Sequence, residues 1–562
     1  MKDPKLTETA PTRRAVLAAL GAASVSVTAR GQSLALDKEI VQRNDSSVER
    51  LLRAQITDEA SQWCGSVPDE FNLHSAGSAG GLIDGMTASL ECPQSKYHGD
   101  RALAQRIGLA ARFLERSQSA EGFIDLLSTN FNSPPDTGFV VHNVATAAAV
   151  ATRYSDTEVV GLLHPFLVKA ANGLSVGGIH TPNHRWVVSS ALAQVNALFP
   201  DPRYTRRIGQ WLAEGIDIDD DGQYTERSTV TYNTVVDRAF VVMSAKLNRP
   251  DLLDPVRKNL NAMLYLLHPD GEVVTEVSRR QDQFVRGTMA GYAFSVFYMA
   301  MHDRDPLISA LARKIGTERV SLSAFLEYPE LAGSLPESGT LPEDYEKLFS
   351  AIGLAHIRRG SRDATVVLSG NSRFLSLRNG SAVIQAVRFA TSFFGKGQFV
   401  PHSGSKDGSG YRLRQSLQAP YYQPLDPPER VTPANWEAMR GRRKTSQICR
   451  LEQTAFVEET RQGFALRIES TGTPGVPMAV EISLREGGSL EGCRPAPAQS
   501  DGWILEKGSA IYRTNGGTVR FGPGAAPHFE TQLRGAEPKL PGTSVYITGY
   551  TPFKHTIQFE LA

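Results

Sequence analysis

Apolar residues recur at three- and four-residue spacing from about Ser47 to about Leu331, and short polar loops interrupt them. Arg101–Ser117 shows the pattern: Leu103, Ile107, Ala110 and Leu114 share a face, with Arg106 and Arg112 between them. The spacing predicts helices over 48–63, 101–117, 140–154, 158–172, 187–198, 204–214, 234–247, 252–267, 285–302 and 306–315, with Pro165 splitting or kinking one of them. So many helices joined as successive hairpins exceed a simple bundle and suit a solenoid or an α/α toroid.

The pattern changes after a Gly/Pro/Ser-rich connector over 332–342. Short β-type runs follow at 365–369, 374–378, 382–389, 455–459, 463–470, 478–485, 518–521 and 545–551, many separated by Gly or Pro. Such runs predict a sandwich. The expected fold is therefore multidomain α+β: an N-terminal incomplete (α/α) toroid over 40–331, then a C-terminal antiparallel β-sandwich over 348–562.

The N-terminus adds a third segment. Thr12-Arg13-Arg14-Ala15-Val16-Leu17 precedes the weakly apolar run from Ala18 to Val27. A twin arginine before a short apolar stretch predicts a twin-arginine-type export signal over 1–32, cleaved between about Ala23 and Gln32. The plainer reading is an Ala-rich N-terminal helix. Export implies a periplasmic or secreted protein, and no later stretch reads as a membrane span. Cys64, Cys92, Cys449 and Cys493 would then meet an oxidising compartment; pairs 64–92 and 449–493 would each stay within one domain.

Composition narrows the partners. Hydrophobic residues make up 41% and charged residues 21% of the 562, and the net charge is +1. That balance argues for an ordinary globular chain and gives no reason to expect nucleic acid as partner.

Several stretches carry chemistry. Thr181-Pro-Asn183-His184-Arg185-Trp186 opens an apolar helix, and Tyr224-Thr-Glu-Arg-Ser-Thr-Val-Thr-Tyr232 leads into another. Two polar helix starts can face one cleft, where unpaired backbone N–H groups favour anions. Asn132 and Asp136 lie near Pro134-Pro135, Arg279 and Arg280 form a basic segment, and the β region offers His402, Tyr421 and Tyr422. Removing a proton beside a carboxylate requires neutralising that carboxylate, a base, and a proton for the leaving oxygen. Asn, Arg and His suit the first task, and Tyr suits the proton work when nearby cations favour the phenolate. No cofactor is required. Asp217, Asp219, Asp221 and Gly222 imitate the start of a calcium loop, but Ser228 stands where its Glu belongs. A structural metal has no clear motif.

This arrangement resembles the heparinase II/III-like and alginate-lyase-like polysaccharide lyases: a toroid with Asn-His, a Tyr in a later loop-to-helix stretch, and a His in the sandwich. The resemblance implies β-elimination from a uronate-containing polysaccharide or oligosaccharide. It assigns catalysis to Asn183, His184, Tyr232 and His402. Asn183 and His184 would neutralise the carboxylate, Tyr232 would transfer protons, and His184 or His402 would serve as base for one C5 configuration. Arg185, Asn132, Asp136, Tyr224, Arg279, Arg280, Tyr421 and Tyr422 are the expected substrate contacts, with Tyr224 competing for the role of Tyr232.

Bland readings stand beside these. His184 is also read as a helix cap, Tyr232 as a packed ring, His402 as a solvated loop residue, and Asn132 and Asp136 as turn formers. Two other functions compete. A toroid glycoside hydrolase would need paired carboxylates, for which Asp136, Glu226, Asp237 and Glu276 are available. A non-catalytic glycan-binding envelope protein would need no proton-transfer group.

Overall fold

The computed structural model describes residues 36–497 and 499–561. The twin-arginine segment lies outside them. The helices are α1 Lys38–Ala54, α2 Ala76–Glu91, α3 Arg101–Ser117, α4 Pro134–Arg153, α5 Thr157–Leu174, α6 Pro182–Leu198, α7 Pro202–Ala213, α8 Tyr232–Leu247, α9 Asp254–Met263, α10 Ala293–Asp303, α11 Pro306–Ile315, α12 Leu322–Glu327 and, in the β region, α13 Trp436–Gly441.

Alternate helices form an inner layer: α2 packs on α4, α4 on α6, and α6 on α8. Their burial explains their sequences. Every residue of α6 from Asn183 to Val195 is buried, so the helix shows little amphipathic contrast. Outer helices such as α3 and α7 bury one stripe only. At the end, α12 packs back against α2 and α4, and Ser323 donates to Asp84 across 2.9 Å. The helical layer thus meets its own beginning, as a toroid requires.

Local chemistry sets several boundaries. α3 matches the predicted span, and Asp100 caps it by accepting from the Ala102 N–H. α1 begins earlier than expected because Asp37 caps it, and it ends at Ala54. α2, with four glycines, was not predicted; its small residues pack closely against α4. The expected helix over 285–302 starts only at Ala293, after a 3₁₀ turn. At Gly287 a Cβ would lie 2.6 Å from the Val230 side chain, so that stretch passes as a tight loop against its neighbour.

The β region begins at Asp344, slightly before the expected 348. One sheet orders its strands Arg494–Pro495, Gly502–Ile504, Ser544–Tyr550, Pro477–Leu484, Ala382–Thr391, Leu375–Asn379, Arg362–Val367, Leu354–Arg359, Asp344–Phe349. The other orders Ser489–Glu491, Ala510–Thr514, Gly517–Gly522, Phe553–Leu561, Gly463–Gly472, Thr445–Thr460, Gly410–Tyr422, Ser403–Asp407. All pairings in these two sheets are antiparallel except Gly502–Ile504 with Ser544–Tyr550. Side chains of both sheets share a core that includes Phe374, Phe389, Leu413, Leu466 and Phe559.

The first sheet faces the toroid. Ser376 donates to Glu276 at 3.0 Å, and Arg378 and Arg485 each reach Glu272 at 2.8 Å. The acidic loop works here too. Asp219 closes its own turn through the Asp221 and Gln223 N–H groups, while Asp221 accepts from Ala351 and Ile352. It is a turn and an interdomain tie. All four cysteines are free thiols, so neither of the two within-domain pairs is bridged. No helix among the described residues is long and apolar enough to cross a membrane.

Candidate active site

The starts of α6 and α8 face one another through a small polar group. Pro182 enters α6 in its first turn, which suits its fixed φ and missing N–H, and carries Asn183 and His184 into the interior. Tyr232 is the first residue of α8, and its N–H donates to Ser228 at 3.0 Å. The loop between Thr275 and Val285 covers this start. Asp282 fastens it, accepting from Ser228 at 2.9 Å, from the Val230 N–H at 3.2 Å, and from Ser278.

That loop delivers Arg280 and Gln281 to Tyr232. Gln281 donates to the Tyr232 hydroxyl at 2.9 Å, and the Arg280 guanidinium lies 4.9 Å from the Tyr232 ring centroid. Interaction with the Tyr232 side chain, opposed by burial and aided by Glu226, raises the Arg280 pKa. Arg280 is a cation held in place beside a phenol.

Asn183 spends its amide on Glu226. Its Nδ2 donates to the two Glu226 oxygens at 2.9 and 2.8 Å and to Thr181 at 3.1 Å, while its buried Oδ1 has no partner. Burial raises the Glu226 pKa, against the lowering effects of Asn183 and Arg280. His184 packs edge-on against His180, with ring centroids 4.5 Å apart. Burial, then His180, holds its pKa down at about 4, against the opposing pull of Asp136. His184 is therefore neutral near pH 7 in the free protein. Arg280 is the fixed cation beside it.

The predicted residues divide sharply. Asn183, His184, Tyr232 and Arg280 come together, and Asp136 borders them. Asp136 lies in the first turn of α4, its N–H donates to the capping Ser133, and its carboxylate accepts from Asn130 at 2.9 Å. Asn132 is exposed on the short strand Asn130–Ser133, with φ 47°, and its N–H donates to Asp125. Arg279 is exposed, and its N–H donates to the Glu226 carbonyl at 3.1 Å.

Two expected contacts belong to the scaffold instead. Arg185 is buried, pairs with Asp217 at 2.7 Å and Glu214 at 3.3 Å, and stacks over Trp186. Tyr224 is 2% exposed, donates to Asp237 at 2.8 Å and stacks on Phe240, so it is a core residue. In the β region, His402 is exposed and its ring makes no hydrogen bond among the described residues. Tyr421 and Tyr422 are exposed on the sheet remote from the toroid, beside Phe394 and Arg440. None of these three joins the Tyr232 group.

The expected hydrolase carboxylates divide too. Asp237 is fully buried under Tyr224, and Glu276 is tied to Ser376 and to the Thr275 N–H. Only Glu226 and Asp136 border the group. Gln281, His180 and Asp282 are the residues that the sequence left unassigned. The roles of Gln281 and Asp282 appear only when loops 49 to 54 residues apart close on one another.

A cavity of about 430 Å³ opens between toroid and sandwich. Thr275, Phe284 and Arg286 line it from the loop that carries Arg280, and Arg373, Arg378 and Arg485 line it from the sandwich. Burial would raise the Glu272 pKa, but Arg485 and Arg378, with Arg286, hold it at about 2. Four arginines and three glutamates line the cavity, and Glu272 pairs with Arg286, Arg378 and Arg485.

No family model matches the sequence, and no curated protein matches it. Solved structures do. The chain is similar to the Streptomyces coelicolor A3 chondroitin AC lyase in complex with chondroitin sulphate: TM-score 0.56, 12% identity, covering 95% of this chain and 80% of that one. It is similar to a Paenibacillus xanthan lyase with TM-score 0.54 and 9% identity, covering 93% of this chain and 56% of that longer one. At these identities the likeness is one of fold: this chain has the toroid-plus-sandwich architecture of those polysaccharide lyases.

Proposed function

We propose that this protein is a polysaccharide lyase that cleaves a uronate-containing glycan by β-elimination. The observation that carries the reading is the meeting of Tyr232 with Gln281 and Arg280 next to Asn183 and neutral His184. Fold likeness to two lyases supports it, and finer kinship with the heparinase II/III-like or alginate-lyase-like enzymes rests on the sequence resemblance.

In this mechanism Arg280 attracts the uronate carboxylate, and hydrogen bonds from His184 and Asn183 spread its charge. A base takes the C5 proton, the electron pair forms the C4–C5 double bond, the C4–O bond breaks, and the leaving oxygen takes a proton. Tyr232 carries the proton between these atoms, and His184 is the acceptor for the opposite C5 configuration. No water is consumed. The cavity beside Arg286, Arg373 and Arg378 would receive the acidic chain next to the cleaved bond. Export to the periplasm or medium is part of the proposal and rests on Arg13 and Arg14.

A hydrolase is the second reading, favoured by the raised pKa of buried Glu226 and by a second carboxylate, Asp136, that acts on His184. Mass spectrometry of products from a uronate polysaccharide panel separates them. Elimination leaves an unsaturated end one water lighter than the hydrolytic product; saturated ends alone would replace our reading with the hydrolase.

A further inference from the structure

Successive residues of a strand point to opposite faces, so Tyr421 turns to Phe394, with ring centroids 5.7 Å apart, while Tyr422 turns to a separate cluster. That cluster sits on the arm over 423–444, which joins the strands Gly410–Tyr422 and Thr445–Thr460 and carries α13. Trp436, Arg440 and Arg443 follow one another at four- and three-residue spacing, so they line one side of α13 and its continuation. The Arg440 guanidinium lies 5.9 Å from the Tyr422 ring centroid, and that of Arg443 lies 5.2 Å from the Trp436 ring centroid. Arg443 also donates to the Gln423 carbonyl at 3.1 Å, which ties the arm back to the end of the strand. The Tyr422 and Trp436 residues stay 45% and 47% exposed.

An aromatic ring left half in water adds little to the fold, and a guanidinium stacked on it holds it in one orientation. Charge points to the occupant. Between Tyr421 and Arg450 six Lys or Arg stand against three Asp or Glu, in a chain whose net charge is +1. All three carboxylates are already paired: Asp426 with Lys444 at 3.4 Å, Glu429 with Arg442, and Glu437 with Arg440 at 2.6 Å. Arg430 and Arg443 meet no carboxylate among the described residues. The local excess of positive charge repels a second copy of the same patch and attracts an anion. A sugar ring offers an apolar C–H face to an aromatic ring, and a uronate adds a carboxylate for a guanidinium at that ring's edge.

We propose that Tyr422, Trp436, Arg440 and Arg443 form a second, non-catalytic site that binds an acidic polysaccharide on the outer sheet of the sandwich. The choice of a uronate chain as occupant rests on the lyase reading above. None of these four residues joins the Tyr232 group, so the site holds the polymer away from the bond that is cut. A chain held there raises the effective concentration of its other segments at the cleft, an advantage open only to long chains.

The test is binding of the full chain carrying Tyr232→Phe to immobilised alginate, heparin and chondroitin sulphate, with and without Trp436→Ala and Arg443→Gln added together. Turnover is measured beside it in the parent background. The added changes should weaken binding of at least one long polymer at least about tenfold and raise KM on that polymer to match, with kcat/KM on its tetrasaccharides within about twofold. Trp436→Phe keeps a ring and should keep most of the binding, and matching melting temperatures exclude a folding defect. Because binding is read without turnover, the two readings fail separately. Patch-dependent binding with no double bond formed sinks the lyase and leaves the second site standing. Elimination with polymer binding indifferent to both changes, or no binding to any of the polymers, overturns the second site. An equal loss on tetrasaccharides would put the patch in the cleft and overturn it too. So would patch-dependent binding of single-stranded DNA without binding of glycan, or a dimer that the changes dissociate.

Discussion

The amide of Asn183 donates to both carboxylate oxygens of Glu226, at 2.9 and 2.8 Å, where a uronate lyase would want that amide for its substrate. In the proposed lyase, Glu226 would thus hold the substrate carboxylate's place in the free protein. Its raised pKa makes it easier to neutralise when a second carboxylate arrives.

Glu226→Gln should therefore separate the two readings. It preserves a hydrogen-bond partner for Asn183 and removes a competing charge. A lyase should keep kcat within about tenfold and show an unchanged or lower KM. A hydrolase using Glu226 as general acid should lose about 10²–10⁴ in kcat. Steady-state kinetics decide.

The depressed pKa of His184 predicts a pH dependence of stability. The unfolded chain binds a proton near the ordinary pKa of about 6.5, while the native side chain waits until about 4. Between those values the unfolded state holds more protons, so the contribution is fully present above about pH 6.5 and is lost as pH falls toward 4. His142, buried and held at about 3 by burial and Arg238, works in the same direction. Melting wild type and His184→Asn at pH 7 and pH 5 should show a smaller drop in the variant. An equal drop in both would contradict the assignment.

Tyr224→Phe should cost stability and spare chemistry. The hydroxyl is the hydrogen-bond partner of fully buried Asp237, so removal should destabilise by about 1–3 kcal/mol. Activity per folded molecule should stay within about twofold. Lost activity with an unchanged Tm would return Tyr224 to the site.

How far the sequence foretold this follows from what each signal measures. Arg101–Ser117 was legible because one face is apolar and Asp100 caps it. Ala76–Glu91 was not, because glycine and serine disguise an inner-layer helix whose small residues serve close packing. Asn183, His184 and Tyr232 were legible as polar groups at helix starts. Tyr224 and Arg185 looked alike in sequence but point inward, since a loop's string of polar letters does not reveal which side chain turns into the core. Gln281 and Asp282 matter only through contacts 49 to 54 residues away in the chain, which no local pattern reports.

Asp282 should act as a positioning residue. It holds the Arg280 loop on Ser228 and Val230, so Asp282→Ala should lower stability by about 1–3 kcal/mol. If Arg280 serves mainly to bind the uronate, Arg280→Ala should raise KM about 10–100-fold with a smaller effect on kcat. A fall in kcat alone would assign Arg280 to the transition state instead.

The most direct test of the central claim follows ultraviolet absorbance from a new C4–C5 double bond while the protein acts on a uronate polysaccharide panel, with Tyr232→Phe alongside. The account predicts absorbance that rises with the parent and falls at least about 10²-fold in rate with the variant, whose fold should persist because the hydroxyl's recorded partners are Gln281 and Arg280. Equal rates from both proteins, or reducing ends released by the parent with no absorbance, would contradict it.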